Sequence, residues 1–201
     1  MDRLQADVSR ETKDLLYKFV DAVLEENGKQ NLISKQSESD IWDRHIADSI
    51  QLIEHAPAGA QTWVDIGAGP GLPGIVLTIV RPEHHFTLVE PRPLRTAFLH
   101  DMVKRLRLAN IRIVESKAEA LSGSYDIITG RAVAPLSKFL ALSHHLSTEK
   151  TRWVLPKGRK AMRELEEARR LWHLDVTVAP SVTDEEARIL LIDRAKRKGR
   201  A

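Results

Sequence analysis

Thr62-Trp63-Val64-Asp65-Ile66-Gly67-Ala68-Gly69-Pro70-Gly71-Leu72-Pro73-Gly74 reads as a short strand ending in an acid, then a glycine-rich turn, then a helix start. An α/β fold builds a nucleotide-sized pocket in that order, at the carboxyl end of its first strand. The chain after residue 74 reads as the rest of such a fold, and the chain before residue 60 as an addition to it. Working outward, strands are expected at 63–66, 86–89, 111–114, 125–129 and 152–155, alternating with helices at 74–80, 94–108, 135–146 and 161–172. Two more strands, 174–178 and 188–192, are joined by a polar connection and read as antiparallel. The alternation implies a mostly parallel sheet with helices on both faces, closed by an antiparallel pair.

Upstream, Leu15, Leu16, Phe19, Val20, Val23 and Leu24 recur at helical spacing over 11–27, with Gly28 as the expected stop. Ser37-Glu38-Ser39-Asp40 offers caps for a second helix carrying Ile41, Trp42, Ile46, Leu52 and Ile53. Within it, Arg44 and Asp48 have the spacing of a weak surface ion pair, and His45 reads as a packed histidine. Pro57-Ala58-Gly59 ends this segment, which divides the chain into a helical extension, 1–58, and a main domain, 59–201, with a basic tail at 194–201.

Bulk properties narrow the function. The 201 residues contain no Cys, which excludes disulfides, thiolate metal sites and a cysteine nucleophile. No metal-binding cluster is evident; the pairs His84-His85 and His144-His145 read as surface histidines. Met1 to Asp7 lacks the apolar run of a signal peptide, and no segment approaches the length needed to span a bilayer, so a cytoplasmic protein without a membrane partner is expected. Net charge is only +3, but basic residues cluster at 92–95, 104–107, 157–160 and 194–200. A polyanion such as RNA suits these clusters; so do plain solvated helix faces.

The glycine-rich turn could hold a dinucleotide or S-adenosylmethionine. A GxGxxG match at Gly69, Gly71 and Gly74 starts four residues after Asp65 and is interrupted by Pro70 and Pro73. A pyrophosphate needs several backbone N–H donors at a helix start, and two prolines remove two of them. S-adenosylmethionine carries a sulfonium cation and no phosphate, which suits a turn that begins at Asp65 and lets Gly67 and Gly69 approach the ligand. Glu90, at the end of the second strand, can accept hydrogen bonds from ribose hydroxyls, although dinucleotide enzymes use an acid there too. Ala118-Glu119, after the third strand, falls where an adenine would lie.

For the methyl acceptor, the missing Cys closes the covalent route to pyrimidine C5. Thr129-Gly130-Arg131-Ala132-Val133-Ala134-Pro135 also lacks the Asp/Asn-Pro-Pro-aromatic sequence associated with exocyclic amines. Guanine N7 fits what remains, because its lone pair is free at neutral pH and needs placement, not a base. The residues are compatible with this acceptor without demanding it.

The sequence resembles the glucose-inhibited division protein B family, bacterial 16S rRNA guanine-N7 methyltransferases. The resemblance rests on Asn31-Leu32, Arg44-His45-Ile46-Ala47-Asp48-Ser49, the Asp65–Gly74 turn with its Leu-Pro-Gly ending, Ser116-Lys117-Ala118-Glu119, Gly130-Arg131-Ala132-Val133-Ala134-Pro135-Leu136 and Lys157-Gly158. It implies a class I S-adenosylmethionine-dependent, Rossmann-like fold of seven strands. It also implies cofactor contacts at Gly67, Leu72, Ala118, Glu119 and Arg131, with Glu90 at the acidic ribose position. Arg131 could instead bridge to Asp126 or Glu119. The implied substrate is a guanine in the decoding region of 16S rRNA, naked or in the small ribosomal subunit. The protein is expected to act as a monomer, without an obligatory catalytic residue; Arg131 would position substrate or cofactor. One departure stands out: many relatives carry Gly-Lys-Arg after the strand-two acid, where this chain has Pro91-Arg92-Pro93-Leu94-Arg95, so Arg92 is the candidate replacement for the missing lysine. The alternatives are a methyltransferase for a small molecule or protein, and an RNA-binding relative without chemistry.

Overall fold

A computed structural model describes residues 9–199; Met1 to Asp7, read above for a signal peptide, and the last two residues of the basic tail lie outside the described residues. Seven strands form one sheet in the order β3-β2-β1-β4-β5-β7-β6. They are β1 Thr62–Ile66, β2 His85–Val89, β3 Ile111–Val114, β4 Ile127–Thr129, β5 Arg152–Lys157, β6 Trp172–Pro180 and β7 Arg188–Arg197. The first five are mutually parallel, and β7 runs antiparallel to both β5 and β6. The expected parallel sheet with a closing antiparallel pair is thus the observed one. Strand order reverses between β2-β1 and β1-β4, which opens a crevice at the carboxyl ends of those strands.

The side-chain period of two separates the core into layers. Trp63, Phe86, Leu88, Ile127, Val154, Ile189 and Leu191 face one side of the sheet. Val64, Ile66, Val89, Ile128, Trp153, Leu155, Leu190 and Ile192 face the other. Strands buried on both faces read as continuous apolar runs, which is why β1, β4 and β5 were visible in the sequence. The first face is covered by α1 Arg10–Gln30, α2 Gly74–Val80 and α3 Pro93–Arg105, the second by α4 Leu136–Ser143 and α5 Ala161–Arg169.

Several boundaries differ from expectation. α1 does not stop at Gly28; it continues to Gln30 and ends on Asn31, whose φ of 51° makes the left-handed cap. The reason is Asn27, buried, with its amide donating to Glu38 Oε1 at 2.6 Å and accepting from the Ile33 N–H at 2.8 Å. These bonds fix the chain reversal three residues beyond the glycine. The second helix is irregular: a π turn Trp42–Ala47, an α turn Asp48–Ile50 and a 3₁₀ turn Gln51–His55. Ser37 does not cap it; Ile41 starts it with no side-chain cap, and the Ser37 hydroxyl donates to Ser34 O instead. α4 gives way to a 3₁₀ turn at His144–Leu146, and α5 ends at Arg169 so that Trp172 opens β6.

Phe19 of α1 is fully buried in the layer that also holds Ile75, Leu77 and Leu88. Phe19→Ala is therefore expected to lower the unfolding free energy of the whole chain by about 3–5 kcal/mol. Urea denaturation followed by tryptophan fluorescence measures this, and a loss below about 1 kcal/mol would show that α1 adds little to the core.

Candidate active site

The turn between β1 and α2 is braced by two buried carboxylates. Asp65 Oδ2 accepts from the Gly74 N–H at 2.9 Å, and Glu90 Oε2 accepts from the Gly69 N–H at 2.9 Å. Glu90 Oε1 takes the Arg92 N–H at 3.0 Å, so one side chain ties the turn to the start of α3. The other amides are engaged within the turn: Gly67 and Ala68 donate to Val89 O, and Gly71 and Leu72 to Ala68 O. Together with Pro70 and Pro73, this leaves no N–H from Gly67 to Gly74 for a phosphate. The whole turn, and not its two prolines alone, is thus closed to a pyrophosphate. Three glycines of the turn are sterically required; at Gly71, where φ is +91°, a Cβ would collide with Ile75. A Cβ at Gly67, where φ is +67°, would lie 2.8 Å from Val133, and one at Gly74 would lie 2.8 Å from Asp65 Oδ2.

Above the turn lies an open cavity of about 620 Å³. Gly67, Gly69, Leu72, Glu90, Ala118, Glu119 and Arg131, all singled out from the sequence, line it. Asp65 does not. It sits beneath the turn, fully buried, and its Oδ1 has no hydrogen-bond partner. Its part is therefore to hold Gly74, not to face the cavity. Burial pushes its pKa up to about 7, against the pull of the Gly74 N–H and of Arg131. Arg92 and Arg95 also line the cavity, whereas Leu94 points away and is 71% exposed. The cavity wall is therefore cationic without a lysine at position 94. Ser116 contributes a hydroxyl with no partner.

A second cavity, of about 560 Å³, adjoins the first, and Arg131 and His45 line both. Arg131 bridges neither Asp126 nor Glu119. Its Nη1 donates to Arg44 O at 3.1 Å and to His45 Nδ1 at 2.8 Å, and lies 3.4 Å from Asp48 Oδ2. Asp48 thus pairs with Arg131 and not with Arg44. Since His45 Nδ1 accepts, its proton is on Nε2, which donates to Ser37 Oγ at 3.0 Å. Burial, then the Arg131 charge, lowers the His45 pKa to about 4, so the ring is neutral near pH 7. The family-like segment around Arg44 and the one around Arg131 are therefore two halves of one cluster.

The far wall of the second cavity was not foreseen. Ser181 and Thr183 of the β6–β7 connection, and Arg188, the first residue of β7, line it together with Ser34 and Asp48. Buried Gln51 locks the connection in place, accepting from the Val182 N–H at 2.9 Å and donating to Asp48 Oδ1 at 2.8 Å. Thr183 Oγ1 also donates to Asp48 Oδ1. Lys157 braces the floor: its ammonium donates to Ala134 O and pairs with Glu164, both at 2.9 Å. No sequence period joins residues at least 130 apart; only their polar composition marked 181–184 as anything but a connector.

The elevated pKa of Asp65 has a direction. The folded value exceeds the ordinary 3.8, so folding takes up a proton between the two. The protonated form's stabilisation is complete below pH 3.8 and is lost as pH rises through about 7. In the cofactor-free protein, Asp65→Asn should gain stability relative to the parent as pH rises from about 5 to about 8. Urea denaturation across that range measures it, and a constant difference would contradict a proton held on Asp65.

Comparison with known proteins agrees with this architecture. The family model GidB, described as rRNA small subunit methyltransferase G, matches residues 12–198. A curated relative from Erythrobacter litoralis, named Ribosomal RNA small subunit methyltransferase G, is 46% identical over 86% of this chain and 84% of its own length. One of the same name from Rhizorhabdus wittichii is 40% identical over 98% and 92%. Among solved structures, a mutant of MtNAS in complex with S-adenosylmethionine superposes with a TM-score of 0.58 at 17% identity, covering 90% of this chain and 75% of that one. The ribosomal protein L11 methylase of Lactobacillus delbrueckii gives 0.56 at 14%, covering 76% and 77%. At those identities the structures speak for the fold alone, whereas the family match and the curated relatives settle kinship: the chain belongs to the GidB family, rRNA small subunit methyltransferase G.

Proposed function

We propose that the chain transfers a methyl group from S-adenosylmethionine to N7 of a guanine in the 16S rRNA of the small ribosomal subunit. Two adjoining cavities with a shared wall suit a two-substrate transfer. The cavity above the glycine turn fits the methyl donor. Glu90 would accept from the ribose hydroxyls with the lone pairs left over from Gly69 and Arg92. Leu72, Val89, Ala118 and Leu142 offer apolar contact to an adenine, and the unpartnered Ser116 hydroxyl a polar one, with Glu119 at the rim. Bound there, S-adenosylmethionine supplies an electrophilic methyl on a sulfonium.

One observation carries the choice of acceptor: where the two cavities meet, at His45, Asp48 and Arg131, no side chain is free to act as a base, and the unpaired carboxylates of the second cavity, Asp184 and Glu186, belong to its exposed β6–β7 wall. His45 is neutral with both ring nitrogens engaged, and both Asp48 oxygens are engaged as well. An acceptor that must lose a proton before reacting is poorly served there. Guanine N7 reacts through a free lone pair and needs only alignment. In this reading the second cavity receives the guanine, and Arg131, held on three acceptors, fixes the edge of both substrates. It also takes the chain to act as a monomer, since residues of one chain line both cavities, and to work in the cytoplasm, where ribosomal RNA is found.

Purified protein, labelled S-adenosylmethionine and small subunits lacking the modification test the assignment. Label is expected in N7-methylguanosine; label only in other nucleosides, or none, would refute it. Two variants apportion the site. Glu90→Ala should weaken cofactor binding by about 1.5–3 kcal/mol in calorimetry, the range for hydrogen bonds to a charged group. Ala187→Trp, which places an indole at the second cavity, should leave cofactor affinity unchanged and abolish transfer. Full transfer by that variant would remove the second cavity from the reaction.

A further inference from the structure

β7 links the reaction site to the opposite end of the sheet. Its first residue, Arg188, lines the second cavity and pairs with Lys157 at the carboxyl end of β5. Its last residue, Arg197, pairs with Trp172. At about 3.4 Å per residue in an antiparallel strand, the ten-residue strand spans roughly 30 Å. The basic tail seen in the sequence therefore begins far from the site.

At that far end the cations form an island wrapped around the end of the sheet, with Arg197 on the face that α5 covers and Lys196 on the opposite face. Arg169 and Arg170 end α5, and Lys196 and Arg197 end β7; all four are exposed. Lys198 joins the two elements, its N–H donating to Leu171 O at 2.9 Å and its ammonium to Arg169 O at 2.7 Å. Among the described residues, none of the four makes an ion pair within 4 Å. Of the neighbouring acids, Glu167 pairs with Arg163 and Asp193 with Arg152, while Glu166, one turn back on α5, and Asp175, opposite Arg194 in the strand register, make no ion pair among the described residues. The negative end of the α5 dipole gives Arg169 and Arg170 a structural reason to be there. Lys196 and Arg197, on a strand, have no such reason. Against the two acids Glu166 and Asp175 the cations leave a net positive patch, which favours a polyanion.

We propose that this island binds the phosphate backbone of a second segment of the same ribosomal RNA, roughly 30 Å from the methylated guanine. The inference rests on the rRNA reading above. A single nucleotide cannot touch both ends of β7, so the two contacts fall on separate parts of the folded RNA. The chain then measures folded RNA, reading the base at one end and backbone position at the other. The contact carries no base recognition and adds affinity through counterion release. Leu171, half exposed amid the cations, is the one large apolar side chain in the island, too little to seat it in a lipid surface.

The test is the combined substitution Arg169→Gln, Arg170→Gln, Lys196→Gln and Arg197→Gln. Binding to a 16S rRNA transcript is measured between about 50 and 250 mM salt. The slope of log affinity against log salt should fall by about 3, at 0.7 to 0.9 per phosphate contact. With small subunits, KM should rise about tenfold or more near physiological salt, with kcat and cofactor affinity unchanged. Binding to a short stem-loop that cannot span β7 should be unaltered. An unchanged slope and KM overturn the proposal, as does an equal loss on the stem-loop. Lost binding to phosphatidylglycerol vesicles with RNA binding intact also overturns it, in favour of a lipid surface. The salt slope is read without methyl transfer. Failure of the parent protein to methylate guanine N7 would therefore sink the reaction assignment and leave the island's result separate.

Discussion

The site depends on two buried carboxylates that satisfy a glycine turn from within. Asp65 holds the Gly74 N–H and Glu90 holds the Gly69 and Arg92 N–H groups. A helix start normally offers such donors to an anion. Here protein carboxylates and carbonyls are the acceptors, so the turn is shaped without a ligand and presents no phosphate cradle. What remains around the cavity is the Glu90 carboxylate edge, an apolar wall and the cations Arg92, Arg95 and Arg131, a chemistry matched to a phosphate-free nucleoside that carries an amino-acid carboxylate. The constraint has a cost in Asp65, whose second oxygen is buried without a partner. Protonation near neutral pH is how such a group lowers that cost.

The second organising contact is the Arg131 cluster. Buried guanidinium groups are expensive unless well surrounded by acceptors, and Arg131 has Arg44 O, His45 Nδ1 and Asp48 Oδ2 around one nitrogen. A neutral His45 is part of that arrangement: a protonated ring would present an N–H where Arg131 needs a lone pair. At the π turn Trp42–Ala47 the helix widens to a five-residue hydrogen-bond register, and this turn carries both Arg44 and His45 into the junction. Thus the segment before residue 60 is not only packed on the sheet through α1. It supplies part of the wall of both cavities.

How legible was this in the sequence? Strands buried on both faces made clear apolar runs, and α2 stood where Pro73 and the glycine turn put it. The cavity wall was legible because Gly67, Leu72, Glu90 and Ala118 lie at or just beyond strand ends, where the parallel topology gathers them. Local signals failed where a tertiary contact overruled them. Gly28 has helix-stopping chemistry, but the Asn27 amide determines the exit. Arg44 and Asp48 have ion-pair spacing, but a more deeply buried arginine from another element claims the carboxylate. Asp65 was read as a ligand-facing acid because it ends a strand; its rotamer points it under the turn, a choice no pattern encodes. The β6–β7 connection met Gln51 only through the final antiparallel pair, whose register folds residue 181 back over the site.

The proposed reaction is methylation of N7 of one guanine in small-subunit RNA, with its two substrates in two joined cavities. The decisive measurement is made in the cell: delete the gene for this chain and map N7-methylguanosine along the 16S rRNA. One N7-methylguanosine should disappear, and should return when the intact gene, but not one encoding Ala187→Trp, is restored. Persistence of every N7-methylguanosine in the deletion strain would contradict the assignment.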